Sequence, residues 1–294
     1  MTSSFLARRA FLARVGVLGA AVAAGGLMPA AYAGTRTDPL RTGVAALRPV
    51  LQELARDTIN GLCTFVVPGP DAYSEAQGTP RHEAGAMEAK TPDFLMQALD
   101  DFVPFPDAIA RPVAAAFATG LSGSPIVLPE SYGRVLPGQF RSLDAALGAV
   151  LQSDATIPLS LAIALALNML ATQVDPASVR GPFLSPFARL SYARKAEVFA
   201  RIEGADADLV GLLDAEFPQP LQGSVSGLLK FVGGALIEFT AFGSYTEWAV
   251  FDRRTRRLTG RPVGWSLTGY QPRGPVEGWD DFRGYYQGRM RVSD

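Results

Sequence analysis

The stretch that decides the fold is residues 157–174, IPLSLAIALALNMLATQV, the most apolar run after the N-terminal leader. Ser160, Asn168, Thr172 and Gln173 interrupt it, so it falls short of the roughly 20 continuous apolar residues that a bilayer span needs. A helix that is apolar on every side belongs in a protein interior. The stretch therefore predicts a central buried helix that other helices must cover.

The flanking sequence supplies them. Residues 191–203, SYARKAEVFARIE, form an amphipathic pattern with Ser191 placed to cap it. Residues 206–217 repeat the pattern, and 221–242 read as a long apolar helix interrupted at Gly233-Gly234. On the N-terminal side, Leu47, Val50, Leu51, Leu54, Ile59 and Leu62 recur at helical spacing within 40–66, and Pro68-Gly69-Pro70 ends that helix. The Gly-, Pro- and charge-rich stretch 71–89 reads as a loop. A further helix runs from Thr91 through Phe102, with Thr91 as N-cap, Pro92 in the first turn and Asp93 at the positive end, and Pro104 and Pro106 close it. Short helices over 107–117 and 142–151 flank a loop over 120–138. Alternating strand patterns are nearly missing. The fold class expected is mainly α, a multi-helix bundle around a buried central helix.

From Asp252 the chain changes character. Residues 252–294 hold nine arginines against five acids, seven glycines and three prolines, so this segment carries +4 while 34–251 carries −8. Trp265, Tyr270, Trp279, Phe282, Tyr285 and Tyr286 make it too aromatic for a solvated tail. It is expected as an extended segment that wraps the acidic helical domain or docks on a partner, two roles that are compatible, because Trp, Tyr and Arg are favoured interface anchors.

The N-terminus, MTSSFLARRAFLARVGVLGAAVAAGGLMPAAYAG, has the build of an export signal over 1–33. Arg8 and Arg9 form the basic region, a short weakly hydrophobic stretch follows, and Ala31-Tyr32-Ala33 is a small-x-small cleavage site. Adjacent arginines followed by Phe11 and Leu12 look like the twin-arginine motif, which addresses a chain to the twin-arginine export machinery. The expectation is an exported protein of the periplasm, cell envelope or exterior, with no stable membrane span after cleavage. Removing 1–33 takes three of the 27 basic residues and none of the 28 acidic ones, leaving −4. That charge is no footprint for nucleic acid.

The chemistry available is limited. There is one cysteine, Cys63, and one histidine, His82. No internal disulfide can form, and Cys63 beside Leu62 and Phe65 reads as a small buried hydrophobe. A lone histidine and a lone cysteine rule out histidine–cysteine zinc sites and iron–sulfur ligation, and no nucleophile elbow or dinucleotide-binding glycine motif occurs. Carboxylates remain. Asp100-Asp101 point to different helix faces, and Asp280-Asp281 lie in the tail. Glu238, in an apolar surround, is expected as a buried acid paired with a tail arginine. No residue is assigned a catalytic, cofactor-binding or metal-ligating role.

One family fits these features. The leader, the helix LRPVLQELARDTINGLCTFV with its following VPGPD, Gly85-Ala86, and Thr91-Pro92-Asp93-Phe94-Leu95 resemble the small subunit, subunit 3, of gluconate 2-dehydrogenases. Gly264-Trp265, Gly269-Tyr270 and Gly278-Trp279-Asp280-Asp281-Phe282 are similar to that family's ending. Small subunits of this family accompany a flavin-dependent catalytic subunit of the glucose–methanol–choline type, often with a multihaem cytochrome, and supply no catalytic residue. The resemblance implies the same here: FAD in the partner subunit, none in this chain, and a chaperone-like role in folding and co-export. The extra helices within 120–230 depart from the family. A stand-alone extracytoplasmic ligand-binding protein and a carboxylate-dependent enzyme are the alternatives.

Overall fold

The computed structural model describes residues 39–103, 110, 113, 157–204, 207–214 and 223–270. The expected leader with Arg8, Arg9, Phe11, Leu12, Ala31 and Ala33, the expected 120–138 loop and 142–151 helix, and Trp279, Phe282, Tyr285 and Tyr286 lie outside them. So does all of the expected 107–117 helix except Ala110 and Val113. The described helices are α1 (Pro39–Val66), α2 (Ala72–Gln77), α3 (Thr91–Gln97), α4 (Leu159–Val174), α5 (Pro186–Arg189), α6 (Tyr192–Glu203), α7 (Ala207–Asp214), α8 (Val225–Tyr245) and α9 (Val263–Thr268). Between α8 and α9 two short strands, β1 (Phe251–Asp252) and β2 (Arg257–Leu258), pair antiparallel. The fold is mainly α, as the pattern implies.

α4 is the central helix that its sequence demands. Thirteen of its sixteen residues are buried, among them Leu161, Ile163, Leu165, Leu167 and Leu170. Its neighbours are α1, α5 and α6. Full burial of one such leucine contributes about 1.5–3 kcal/mol, so α4 dominates the core. Its N-terminus is capped from a distance: the Asp100 carboxylate accepts from Ser160 N at 2.9 Å and from Ser160 Oγ at 2.8 Å. This satisfies a free helical N–H and sets negative charge at the positive helix end. Asp100 therefore has a structural partner sixty residues away.

α1 lays Val50, Leu51, Leu54, Ile59, Leu62 and Cys63 against this core. Gly61 lets α5 come close, since a Cβ there would meet Ala188 Cα at 2.8 Å. α6 begins where expected, with Ser191 Oγ accepting from Arg194 N.

Four expectations are corrected. Residues 71–89 are not all loop: Asp71 accepts from Tyr73 N and Ser74 N and so starts α2, which closes at Gly78 with φ 85. Thr91 is not the cap of α3. Lys90, in the left-handed region at φ 52, holds that position, and the Thr91 hydroxyl is spent on Ser244 Oγ in α8 at 2.8 Å. The last stretch of that segment, Ala98–Phe102, is a π-helical turn, which aims Asp100 at α4. α8 is continuous across Gly233-Gly234, because Gly233 is a packing position: a Cβ there would lie 2.9 Å from Ile202 Cγ2 of α6.

Glu238 is likewise not buried. It lies exposed on the outer face of α8, and no described arginine pairs with it. Of the segment from Asp252, the described residues 252–270 hold most of the β1–β2 hairpin and α9.

Candidate functional site

Two constellations concentrate polar or aromatic chemistry. The first is a buried polar seam joining α1, α2, α4, α5 and α6. Asn168 of α4 sits at its centre. Its Oδ1 accepts from Ser185 Oγ at 2.7 Å and from Phe187 N at 3.0 Å, and its Nδ2 donates to Thr58 Oγ1 at 2.9 Å and to Ala164 O at 2.8 Å. Asp57 accepts from Ser185 N at 2.7 Å and from the Tyr73 hydroxyl at 2.5 Å. Burial, helped by the Asp57 carboxylate, holds the Tyr73 phenol protonated well above its usual range.

Lys195 of α6 closes the seam. Its side chain is fully buried, with Nζ donating to Gly61 O at 3.0 Å and to Gln77 Oε1 at 2.8 Å, and lying 5.6 Å from the centre of the Phe187 ring. Gln77 passes the network on, donating to Thr64 O and Thr79 Oγ1. Loss of hydration pulls the Lys195 pKa down to about 7, against the pull of Asp71 and Asp57. A lysine so tuned is chemically capable of nucleophilic work. Its side chain is enclosed, and its hydrogen bonds make it a strut between α6, α1 and α2. The sequence carries a signal for it: Lys195 precedes Val198, Phe199 and Ile202 by three, four and seven residues, on the apolar face of α6. Cys63 is also fully buried, and burial pushes its thiol pKa far up, so it is an inert core residue.

The second constellation is an open cleft of about 580 Å³ at the C-terminal end of α8. Phe94, Phe242, Trp248, Phe251, Leu258 and Trp265 line it, with Glu247, Thr246 and Arg256 as its polar groups. The rings support one another: Phe94 lies 5.6 Å edge-on to Trp248 and 5.8 Å from Phe242. Trp265 is fixed by donating its Nε1–H to Glu247 Oε1 at 2.9 Å, and Tyr270 leans on it at 5.3 Å. Arg261 holds the end of α9 by donating to Ser266 Oγ and to the Tyr270 carbonyl. Thr246 Oγ1 is buried with no hydrogen-bond partner among the described residues.

Of the six aromatic residues expected to anchor a partner, the structure places Trp265 in the cleft wall and Tyr270 beside it, 48% exposed. Phe94 belongs to the Thr91–Leu95 motif of the family resemblance, but nothing in the sequence joins it to the rest of the lining. Phe94, Phe242, Trp248, Phe251 and Leu258 come from three separate segments, and only the fold brings them together. The acid in the cleft, Glu247, is engaged by Trp265, and Glu238 does not line it. Among the described residues no group of three or more His, Cys, Asp or Glu side chains is placed to hold a metal ion. Compared with protein-family models, with curated proteins and with solved structures, the chain matches none.

Proposed function

We propose that this chain is a non-catalytic accessory subunit that folds with, and is exported alongside, a flavin-dependent dehydrogenase of the glucose–methanol–choline type. The observation that carries the reading is a twin-arginine leader on a chain with one histidine and one cysteine. That export route takes folded cargo, commonly loaded with a cofactor, and the economical cargo here is a partner that holds FAD. The described polar groups of the interior are engaged in joining helices, since Lys195, Asn168 and Asp57 each hydrogen-bond to other elements. The aromatic cleft supplies a surface of the composition that interfaces favour, and the family resemblance of the sequence points the same way. A cytochrome would be a further member of such a complex.

The test is affinity isolation of the tagged chain from its native host, with an absorbance scan and mass spectrometry. A complex with flavin absorbance, containing an oxidoreductase that lacks its own leader, is the expected result. A colourless, solitary protein overturns the proposal. It would favour the second reading, a stand-alone binding protein for an apolar ligand, which the volume and aromatic lining of the cleft support.

A further inference from the structure

α8 turns an apolar face to the outside. Leu228, Phe231, Phe239 and Phe242 are 44, 73, 44 and 59% exposed, and their spacing, with Ala235 among them, sets them on one stripe of the helix. The opposite face, with Val225, Gly233, Leu236, Thr240, Gly243 and Ser244, is buried against α1, α3 and α6. Lys230, Gly234 and Glu238 are exposed too, off the stripe's centre.

The stripe runs through Phe242 into the aromatic cleft, whose far wall is the β1–β2 hairpin. That hairpin and the three residues that follow it carry Arg253, Arg254, Arg256, Arg257 and Arg261, all exposed. The acid among them, Asp252, is turned inward on its own loop, accepting from Arg254 N and from Thr255. A Phe-rich stripe thus adjoins a dense cationic patch, with Tyr245, Trp248 and Trp265 at the boundary.

We propose that this face of α8 and the arginine hairpin together form a docking site for an anionic lipid bilayer surface, with α8 lying in the plane of the headgroups. Length and mean hydropathy alone, 21 residues at 1.5, would allow α8 to cross a membrane. Crossing would strip Leu236, Thr240 and Ser244 from the core and leave α3 and α6 uncovered. Lying in the plane keeps that packing and inserts only the Phe stripe, the behaviour of an interfacial amphipathic helix. Tyr245 and the two tryptophans sit where aromatic rings favour the headgroup zone. Lys230 lies well round the helix on the wet side, and Glu238, beside Phe231 at the stripe's edge, has to reach up to the headgroups along its side chain. The arginines match anionic headgroups, each worth about fivefold in partition at low salt. A protein partner would also accept an apolar face, but a lipid surface accounts for the stripe and the five adjacent arginines at once.

The experiment is flotation of the full chain with vesicles of phosphatidylcholine alone and of phosphatidylcholine mixed with phosphatidylglycerol, with tryptophan emission read in parallel. The expected result is binding to the mixed vesicles, a blue shift, and release by salt. Phe231→Glu combined with Phe239→Glu lowers that binding by about tenfold or more, and Arg254→Gln combined with Arg257→Gln lowers it by about twentyfold. Both variants keep the leader, so its own affinity for lipid cancels in the comparison, and circular dichroism checks that each remains folded. Equal binding to both vesicle types, or binding unchanged in the phenylalanine variant, overturns the proposal. So does a monomer–dimer equilibrium in sedimentation that the phenylalanine variant abolishes while vesicles have no effect, which would assign the face to a second copy. So does flotation gained only when the chain is ended at Tyr270, which would assign the face to the C-terminal segment.

Discussion

α4 and α8 are the two most apolar helices of the described fold, and they stand in opposite situations. α4 has thirteen of sixteen residues buried; α8 has six of twenty-one buried, and Phe231 is 73% exposed. Composition does not separate them. What separates them is company. α4 has neighbours on several sides, α1, α5 and α6, and a carboxylate from the α3 segment on its N-terminus. α8 meets α1, α3 and α6, with α7 and α9 also against it, and its outer stripe is still left exposed. Apolar sequence shows that a helix must be covered, but not by what, and that difference separates a core from a docking surface.

The contrast can be broken or sharpened by substitution. The largest effect is expected at the centre of α4. Leu165→Ala leaves a cavity among fully buried neighbours and should cost about 3–4 kcal/mol in denaturant unfolding. A cost near zero would mean that α4 is not the packing centre.

Next is the pH response of the buried seam. The Lys195 pKa is lowered on folding from 10.5 to about 7. Between these values the unfolded chain binds the extra proton, so stability rises with pH above about 7. Burial holds the Cys63 thiol protonated, which works in the opposite sense above pH 9. The clean window is therefore pH 7 to 9, where the gain should be about 2–3 kcal/mol. Lys195→Met should flatten the rise relative to the parent protein, and parallel pH profiles would show that Lys195 is charged or hydrated in the fold.

A smaller effect is expected at the start of α6. Ser191→Ala removes the acceptor for Arg194 N and should cost about 1 kcal/mol. The smallest is on the outer face of α8, where Phe231→Ser should change stability by less than about 0.5 kcal/mol, because the ring is not packed. A loss as large as that of Leu165→Ala would show that this ring is covered in solution and would erase the difference between the helices.

The candidate site was only partly readable before the fold. Trp265 and Tyr270 were visible as aromatic residues in a poor helix-forming segment, and both lie at the cleft. Phe94 and Phe242 each looked like ordinary members of an apolar helix. Their place in the cleft follows from the crossing of α3 and α8, pinned by the Thr91–Ser244 hydroxyl pair. Glu238 misled because its sequence neighbours are apolar. On a helix, sequence neighbours point in different directions, and a residue amid apolar ones is buried only if its own face is.

By itself the sequence determined what local physics can decide. The burial of α4 follows from its having no polar face, the start of α6 from the Ser191 cap, and the end of α1 from Pro68-Gly69-Pro70. The inertness of Cys63 follows from its place on an apolar helix face. Tertiary structure decided everything that depends on a partner distant in sequence. Lys195 can be buried because Gly61 O and Gln77 Oε1, more than a hundred residues away, accept from it. Gly233 continues α8 instead of breaking it because Ile202 occupies the space a side chain would need. α8 turns its phenylalanines outward because hydrophobic burial is not directional: it selects which residues should leave water, and only the arrangement of neighbouring helices selects which of them do.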